Sequence, residues 1–294
     1  MAAKSDTKGS AKKADISVGV IVFNNGEEYF NEIMAGVNDA ASTYEDKDVK
    51  VLVKGIPYRQ DDQIKAIDEL VKEGVRGIII SPINSDPVRE KLVELDKKKI
   101  KVVTVNSEIE DAPVLSYVGV DAYKSGQVAG GLLKLISKGK AEVIVITGSN
   151  SVLGHSQRIK GLMDTVGGAR SQISIEEVFE CQDDNYKAYE GVQKLALKYP
   201  TADSFVFAAG GVYGGCKGIY QMTIRRKYNV ITFDDLPVNK TYMENGTIDA
   251  SVCQNCYEQG FRSMITLCDN LISGKSAPSE KQYMDIVIKI KECF

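Results

Sequence analysis

The sequence predicts an α/β protein built as two doubly wound lobes, and three observations carry that prediction. Short apolar runs rich in β-branched residues recur along the chain, as strands require when helices cover both faces of a parallel sheet. Amphipathic helical stretches separate those runs, which argues for repeated βαβ units. Ten such runs in 294 residues are too many for one comfortable open sheet and one core.

The expected strands are ISVGVIVF (16–23), VKVLVKGI (49–56), GIIIS (77–81), KVVTV (101–105) and YVGV (117–120). AEVIVIT (141–147), ISIEEVF (173–179), SFVFAA (204–209), NVITF (229–233) and DASVC (249–253) follow. Between them, DDQIKAIDELVKEG and SDPVREKLVELDKKK place apolar residues at i, i+3 and i+4. Asp61 and Ser85 stand where N-caps belong, and Gly74 stands at a helix exit. The break between lobes falls near residue 120, before a helix that starts about Ala122.

Composition narrows the function. Charged residues are 26% and hydrophobic residues 43% of the chain, a globular balance. The net charge of -3 offers no general attraction to nucleic acid or anionic lipid, so no direct nucleic-acid binding is expected. No apolar run approaches the roughly 20 residues of a membrane span. Residues 1–15, MAAKSDTKGSAKKAD, read as a polar, flexible tether. Cys253-x-x-Cys256 has no second pair and only His155 for company, so no metal site is expected. The six cysteines read as reduced thiols and lean towards a reducing cytoplasm. There is no G-x-G-x-x-G after the first strand, no P-loop and no G-x-S-x-G, so neither an enzyme nor a cofactor is expected.

In doubly wound sheets ligands gather beyond the carboxyl ends of the strands. The residues there form a distinct set. Glu27, Tyr29 and Phe30 follow the first strand, and Asn106-Ser107 follow KVVTV. Arg158 comes from the helix after AEVIVIT, Tyr186 from the segment after ISIEEVF, Asp234 from NVITF-DD, and Gln254 from DASVC-Q. Singly each has a plain structural role: Asp234 as the cap of a following helix, Arg158 as a surface charge, Tyr186 as packing. Together they offer a carboxylate, a guanidinium, amides and aromatic faces at one edge. That inventory suits a small polar ligand of the monosaccharide or polyol kind.

At these residues the chain resembles the type I periplasmic-binding-protein superfamily. The likeness rests on GVIVFNNGEEYFNEIMAGV, QIKAIDELVKEGVRGIIISPINSD, YVGVDAYKSGQVAGGLL, GHSQRIKGL, VITFDD and CQNCYEQG. It implies two lobes joined by a three-strand hinge, one formed by 16–119 with 255–283 and the other by 120–254 with 284–294. It also implies ligand-driven lobe closure. It gives Tyr29 and Phe30 the role of paired aromatics and Arg158 and Asp234 that of hydroxyl-binding residues. Tyr186 would be a stacking aromatic, and Gln254 a hinge-side amide. Glu27, Ser107 and Gly210 stand where sugar binders of the superfamily usually carry Asn or Asp, Arg, and Asn respectively, which puts the identity of the sugar in question.

YVGVDAYKSGQVAGGL and SVLGHSQRIKGL resemble LacI-type transcription regulators more than transport receptors. The first expectation is therefore a cytoplasmic effector-binding core of such a regulator, a homodimer, without its DNA-binding head. The alternative is an extracytoplasmic, membrane-tethered lipoprotein that delivers sugar to the permease of an ABC transporter.

Overall fold

The computed structural model describes residues 16–24, 27–44, 47–150, 152–168, 171–222 and 227–294; the expected tether at 1–15 lies outside them. The chain forms two doubly wound α/β lobes, each built on one six-stranded sheet. The first sheet contains β1 (Ile16–Phe23), β2 (Val49–Ile56), β3 (Gly77–Ile80), β4 (Lys101–Val105), β5 (Ser116–Gly119) and β11 (Lys281–Tyr283). Its order is β11-β5-β4-β3-β1-β2, with every pairing parallel. The second contains β6 (Lys140–Thr147), β7 (Gln172–Glu180), β8 (Ser204–Phe207), β9 (Asn229–Phe233), β10 (Ala250–Cys253) and β12 (Val287–Lys289). Its order is β12-β10-β9-β8-β6-β7, and only β12 runs antiparallel.

Strand position explains strand composition. Central β3 is buried at every residue and reads GIII, whereas edge strand β2 exposes Lys50, Val53 and Gly55. The helices α1 (Glu27–Ser42), α2 (Gln60–Lys72), α3 (Asp86–Lys97) and α9 (Cys256–Ser273) cover the first sheet. The second is covered by α4 (Ala122–Ile136), α5 (Leu153–Val166), α6 (Asn185–Lys198), α7 (Val212–Tyr220) and α8 (Pro237–Glu244). Among the described residues the chain passes between the sheets three times: from β5 to α4, from β10 to α9, and from β11 to β12.

Local signals fared unevenly. Gly74 ends α2 at φ +79°, as its place in the sequence suggests. Asp61, expected as an N-cap, lies inside α2, and Arg59 holds the cap position. The side-chain caps are instead Asp121, which accepts from the Lys124 amide on α4, and Asp184, which accepts from the Lys187 amide on α6. β11 and β12 are three residues each and too short to show a periodicity.

Each lobe contains a helix pair brought into backbone contact by glycines. A methyl group on Gly36 of α1 would sit 2.0 Å from the Tyr257 carbonyl oxygen of α9, and one on Gly260 only 1.9 Å from that of Ile33. In the second lobe, a methyl group on Gly126 of α4 would sit 2.0 Å from the Arg158 carbonyl oxygen, and one on Gly161 of α5 2.0 Å from that of Tyr123. Only glycine permits this approach, and in the second lobe it seats the helix that carries Arg158.

Candidate functional site

A cleft of about 440 Å³ lies between the two sheets at the carboxyl ends of their strands. The first lobe contributes Phe23 from the end of β1, Tyr29 and Phe30 from α1, Tyr58 beyond β2, Ser81 beyond β3, and Asn106 and Ser107 beyond β4. The second contributes His155 and Arg158 from α5, Asp183 and Asn185 beyond β7, Phe233 and Asp234 at the end of β9, and Gln254 beyond β10.

Backbone geometry directs several of these side chains inwards. Asn106, Asp183 and Asp234 adopt φ of +65°, +55° and +73°, a region L-residues avoid but Asn and Asp tolerate best. Such conformations persist only where their surroundings impose them, and they cluster at ligand sites. Asp234 does not cap α8, whose N-cap is Leu236, so the plain helix-cap role falls away.

The second-lobe side is a connected polar chain. Arg158, buried at 7% exposure, donates through Nη1 to the Ala208 carbonyl at 3.0 Å and through Nη2 to Gln254 Oε1 at 2.5 Å. Its guanidinium lies 4.6 Å from the centre of the Phe233 ring, a cation–π contact. Gln254 Nε2 donates in turn to Asp234 Oδ1 at 2.5 Å. Arg158 Nε is buried without a protein partner among the described residues, so one charged donor is left for a ligand oxygen.

On the first-lobe side Tyr29 donates its hydroxyl to Asn106 Oδ1 at 2.7 Å, which fixes the amide so that Nδ2 reaches Ser81 Oγ at 3.3 Å. Phe23, Phe30 and Tyr58 form an apolar wall, with Phe23 ring centres 5.8 Å from Phe30 and 4.7 Å from Tyr58.

Burial pushes the Asp234 carboxyl above the usual carboxylate range, against the opposing pull of Arg158 and of the Gln254 hydrogen bond. Burial also lowers His155 to about 4; Asp183 favours its protonated form and Arg158 opposes it, so the imidazole is neutral at pH 7. Its Nδ1 accepts from the Ser149 amide at 3.3 Å. Among the described residues no three His, Cys, Asp or Glu side chains gather as a metal ion would need.

Of the residues singled out from sequence, Tyr29, Phe30, Asn106, Ser107, Arg158, Asp234 and Gln254 line the cleft together. Glu27 opens α1, but its side chain lies outside the described residues. Tyr186 requires correction. It is 68% exposed on the outer face of α6, where its hydroxyl donates to Glu190 Oε1 at 2.7 Å. The left-handed Gln182-Asp183 turn before α6 brings Asp183 and Asn185 to the cleft instead. Sequence reasoning missed Tyr58, Asp183, Asn185, His155 and Phe233. Tyr58 was open to discovery, since it follows β2 as Asn106 follows β4; the rest needed the turn geometry.

A family model described as a periplasmic binding protein domain matches residues 18–276. The chain belongs to the periplasmic binding protein domain family. The chain is 20% identical to the ribose import binding protein RbsB of Salmonella typhimurium over 264 residues, 89% of this chain and 88% of that one. It is 24% identical to catabolite control protein A of Priestia megaterium over 189 residues, 64% of this chain and 54% of that one. The crystal structure of GanP, a glucose-galactose binding protein from Geobacillus stearothermophilus, superposes with a TM-score of 0.87 at 26% identity, covering 96% of this chain and 99% of that one. The proteins it resembles thus include an import binding protein and a catabolite control protein, and no helix among the described residues is long and apolar enough to cross a membrane.

Proposed function

We propose that this protein binds a neutral monosaccharide or related polyol without chemically altering it, by closing its two lobes on the ligand. The single observation that carries this reading is the pairing of the Arg158–Gln254–Asp234 chain on one lobe with Asn106, Ser107 and an aromatic wall on the other. Carboxylate, guanidinium and amides supply directional partners for vicinal hydroxyls, and aromatic rings cover an apolar sugar face. Contacts drawn from both lobes are complete only when the lobes are closed, so ligand shifts the population towards that form.

The charge of the cleft speaks for an uncharged ligand. Glu28, Asp183 and Asp234 line it, against Arg158 as the only lysine or arginine among the described lining residues. Both terminal nitrogens of Arg158 are already engaged. A phosphate or uronate would meet three acidic side chains against this one guanidinium.

Of the two biological roles, a solute receptor for uptake is favoured by likeness to the ribose import protein over 88% of that protein's length. The effector core of a regulator is the second reading, favoured by the free thiols and by the likeness to catabolite control protein A. Titration calorimetry with D-ribose, D-arabinose, D-glucose, D-galactose and D-glucose 6-phosphate tests the ligand class, with small-angle scattering on the same samples. The expected result is binding of at least one neutral sugar, no binding of the phosphate, and a smaller radius of gyration in the complex. Preference for the phosphate, or silence across the neutral sugars, would overturn the reading. A monomer in sedimentation supports the receptor role, and a stable dimer the regulator core.

A further inference from the structure

The left-handed conformation of Asp234 needs a cause, and the residues beneath it supply one. Asn239, on the first turn of α8, is fully buried at 0% exposure. Its Nδ2 donates to the Phe233 carbonyl at 2.7 Å and the Asp234 carbonyl at 3.0 Å, with Thr232 Oγ1 at 3.1 Å and Ser251 Oγ at 3.3 Å beside them. Ser251 Oγ donates to the same Asp234 carbonyl at 2.6 Å. The peptide unit after Asp234 is thus gripped by two donors from two different elements.

A second feature separates Asn239 from an ordinary packing residue. Its Oδ1 is buried with no protein partner among the described residues. Turning the amide over would aim that oxygen at two carbonyls, so the orientation is determined. A leucine of similar volume would supply no donor to the Phe233 and Asp234 carbonyls. Buried amides serve other strand ends too: Gln63 holds Ser81 and Ile83 beyond β3, and Gln259 holds the Gln254 carbonyl beyond β10.

We propose that Asn239 is the positioning residue that holds Asp234 in its left-handed turn and thereby aims its carboxylate at the ligand. This rests on the reading of Asp234 as a sugar-binding carboxylate. Without the Asn239 donor, a non-glycine residue has reason to relax to φ below zero, which would swing its side chain away from Gln254 and the cleft.

The test compares Asn239→Leu and Ser251→Ala with Ile248→Ala, a buried core change of the same lobe that does not line the cleft. Crystal structures of the ligand-free variants report the φ of Asp234, and calorimetry reports Kd for whichever of D-ribose, D-arabinose, D-glucose and D-galactose the wild type binds most tightly. In Asn239→Leu, Asp234 is expected to leave the positive-φ region and affinity to fall about tenfold or more. Ser251→Ala, milder and safe for folding, is expected to shift both in the same direction, while Ile248→Ala lowers melting temperature and leaves Kd alone. A retained φ near +73° in both Asn239→Leu and Ser251→Ala, or an equal loss of affinity in Ile248→Ala, would overturn the proposal. If the wild type binds none of the four sugars, the ligand reading falls, and the φ comparison still decides whether Asn239 holds the turn.

Discussion

Asp234 combines three costs in one residue: a positive φ, a carboxylate held in packed surroundings, and a charge whose neighbouring arginine is shared with Gln254. Proteins keep such costs where function uses them. The pH dependence follows from the direction of its shift. An acid whose folded pKa lies above its unfolded value, about 3.9, takes up a proton on folding. Its contribution therefore favours the fold at low pH and is lost as pH rises through the folded pKa. Asp234→Asn removes that burden and tolerates the left-handed backbone. We expect the variant, free of ligand, to melt at a higher temperature than the wild type at pH 7. Its sugar affinity should fall about tenfold or more, as a charge-assisted acceptor is lost. Thermal shift and calorimetry on one preparation check both, and a lower apo melting temperature with unchanged Kd would show Asp234 to be structural. Arg158 behaves differently: with bonds to Ala208 and Gln254 and a ring beneath it, its truncation should cost apo stability as well as affinity.

At the scale of elements, helix pairs set the reach of the site. The α4–α5 contact is so close that the missing Cβ of Gly126 would overlap the main chain of Arg158 itself, at 2.0 Å from its oxygen and 2.8 Å from its Cα. Because the obstacle is backbone, it cannot be relieved by a rotamer change. Gly126→Ala is expected to force α4 and α5 apart and to cost about 1–3 kcal/mol of stability. Denaturant titration measures this, and a variant as stable as the wild type would show that the two helices are free to separate. Much of this level was legible beforehand. The runs of β-branched residues predicted their strands because central parallel strands are buried on both faces, so composition alone marks them. Asp61 misled because two acids in a first helical turn look alike whether or not one of them is the cap. Tyr186 misled for a related reason: the aromatic type suits stacking, but a left-handed turn just before it decides which neighbouring residue faces the cleft.

For the molecule as a whole, the thiols report how the two lobes are packed. Cys181, Cys216, Cys253, Cys256 and Cys268 are buried and Cys293 is exposed, all free. Burial raises Cys181 to about 11 and Cys253 and Cys268 to about 12, so the buried thiols are both shielded and protonated at neutral pH. A chromogenic disulfide reagent should accordingly titrate about one thiol in native protein and all six after denaturation. Rapid reaction of several native thiols would show that the lobes open further than this packing allows, and five after full denaturation and reduction-free handling would reveal a modified cysteine.

Sequence alone determined the alternation of strands and helices, the edge at which the cleft residues gather, and seven members of the cleft. These are consequences of hydrophobic periodicity and strand polarity, which are local and cumulative along the chain. Tertiary structure decided the rest. The Asp234 carboxylate is aimed by a buried amide five residues on and a serine in the next strand, Ser251, a partnership that no sequence spacing announces. Asp183 reaches the cleft through a turn whose sign of φ depends on what surrounds it, and Gln254 acquires meaning only when β9, β10 and α5 bring Asp234 and Arg158 to its two ends. Periodicity records which face of an element is buried; it holds no record of how a turn between two elements is strained, because that strain is imposed by neighbours distant in the chain.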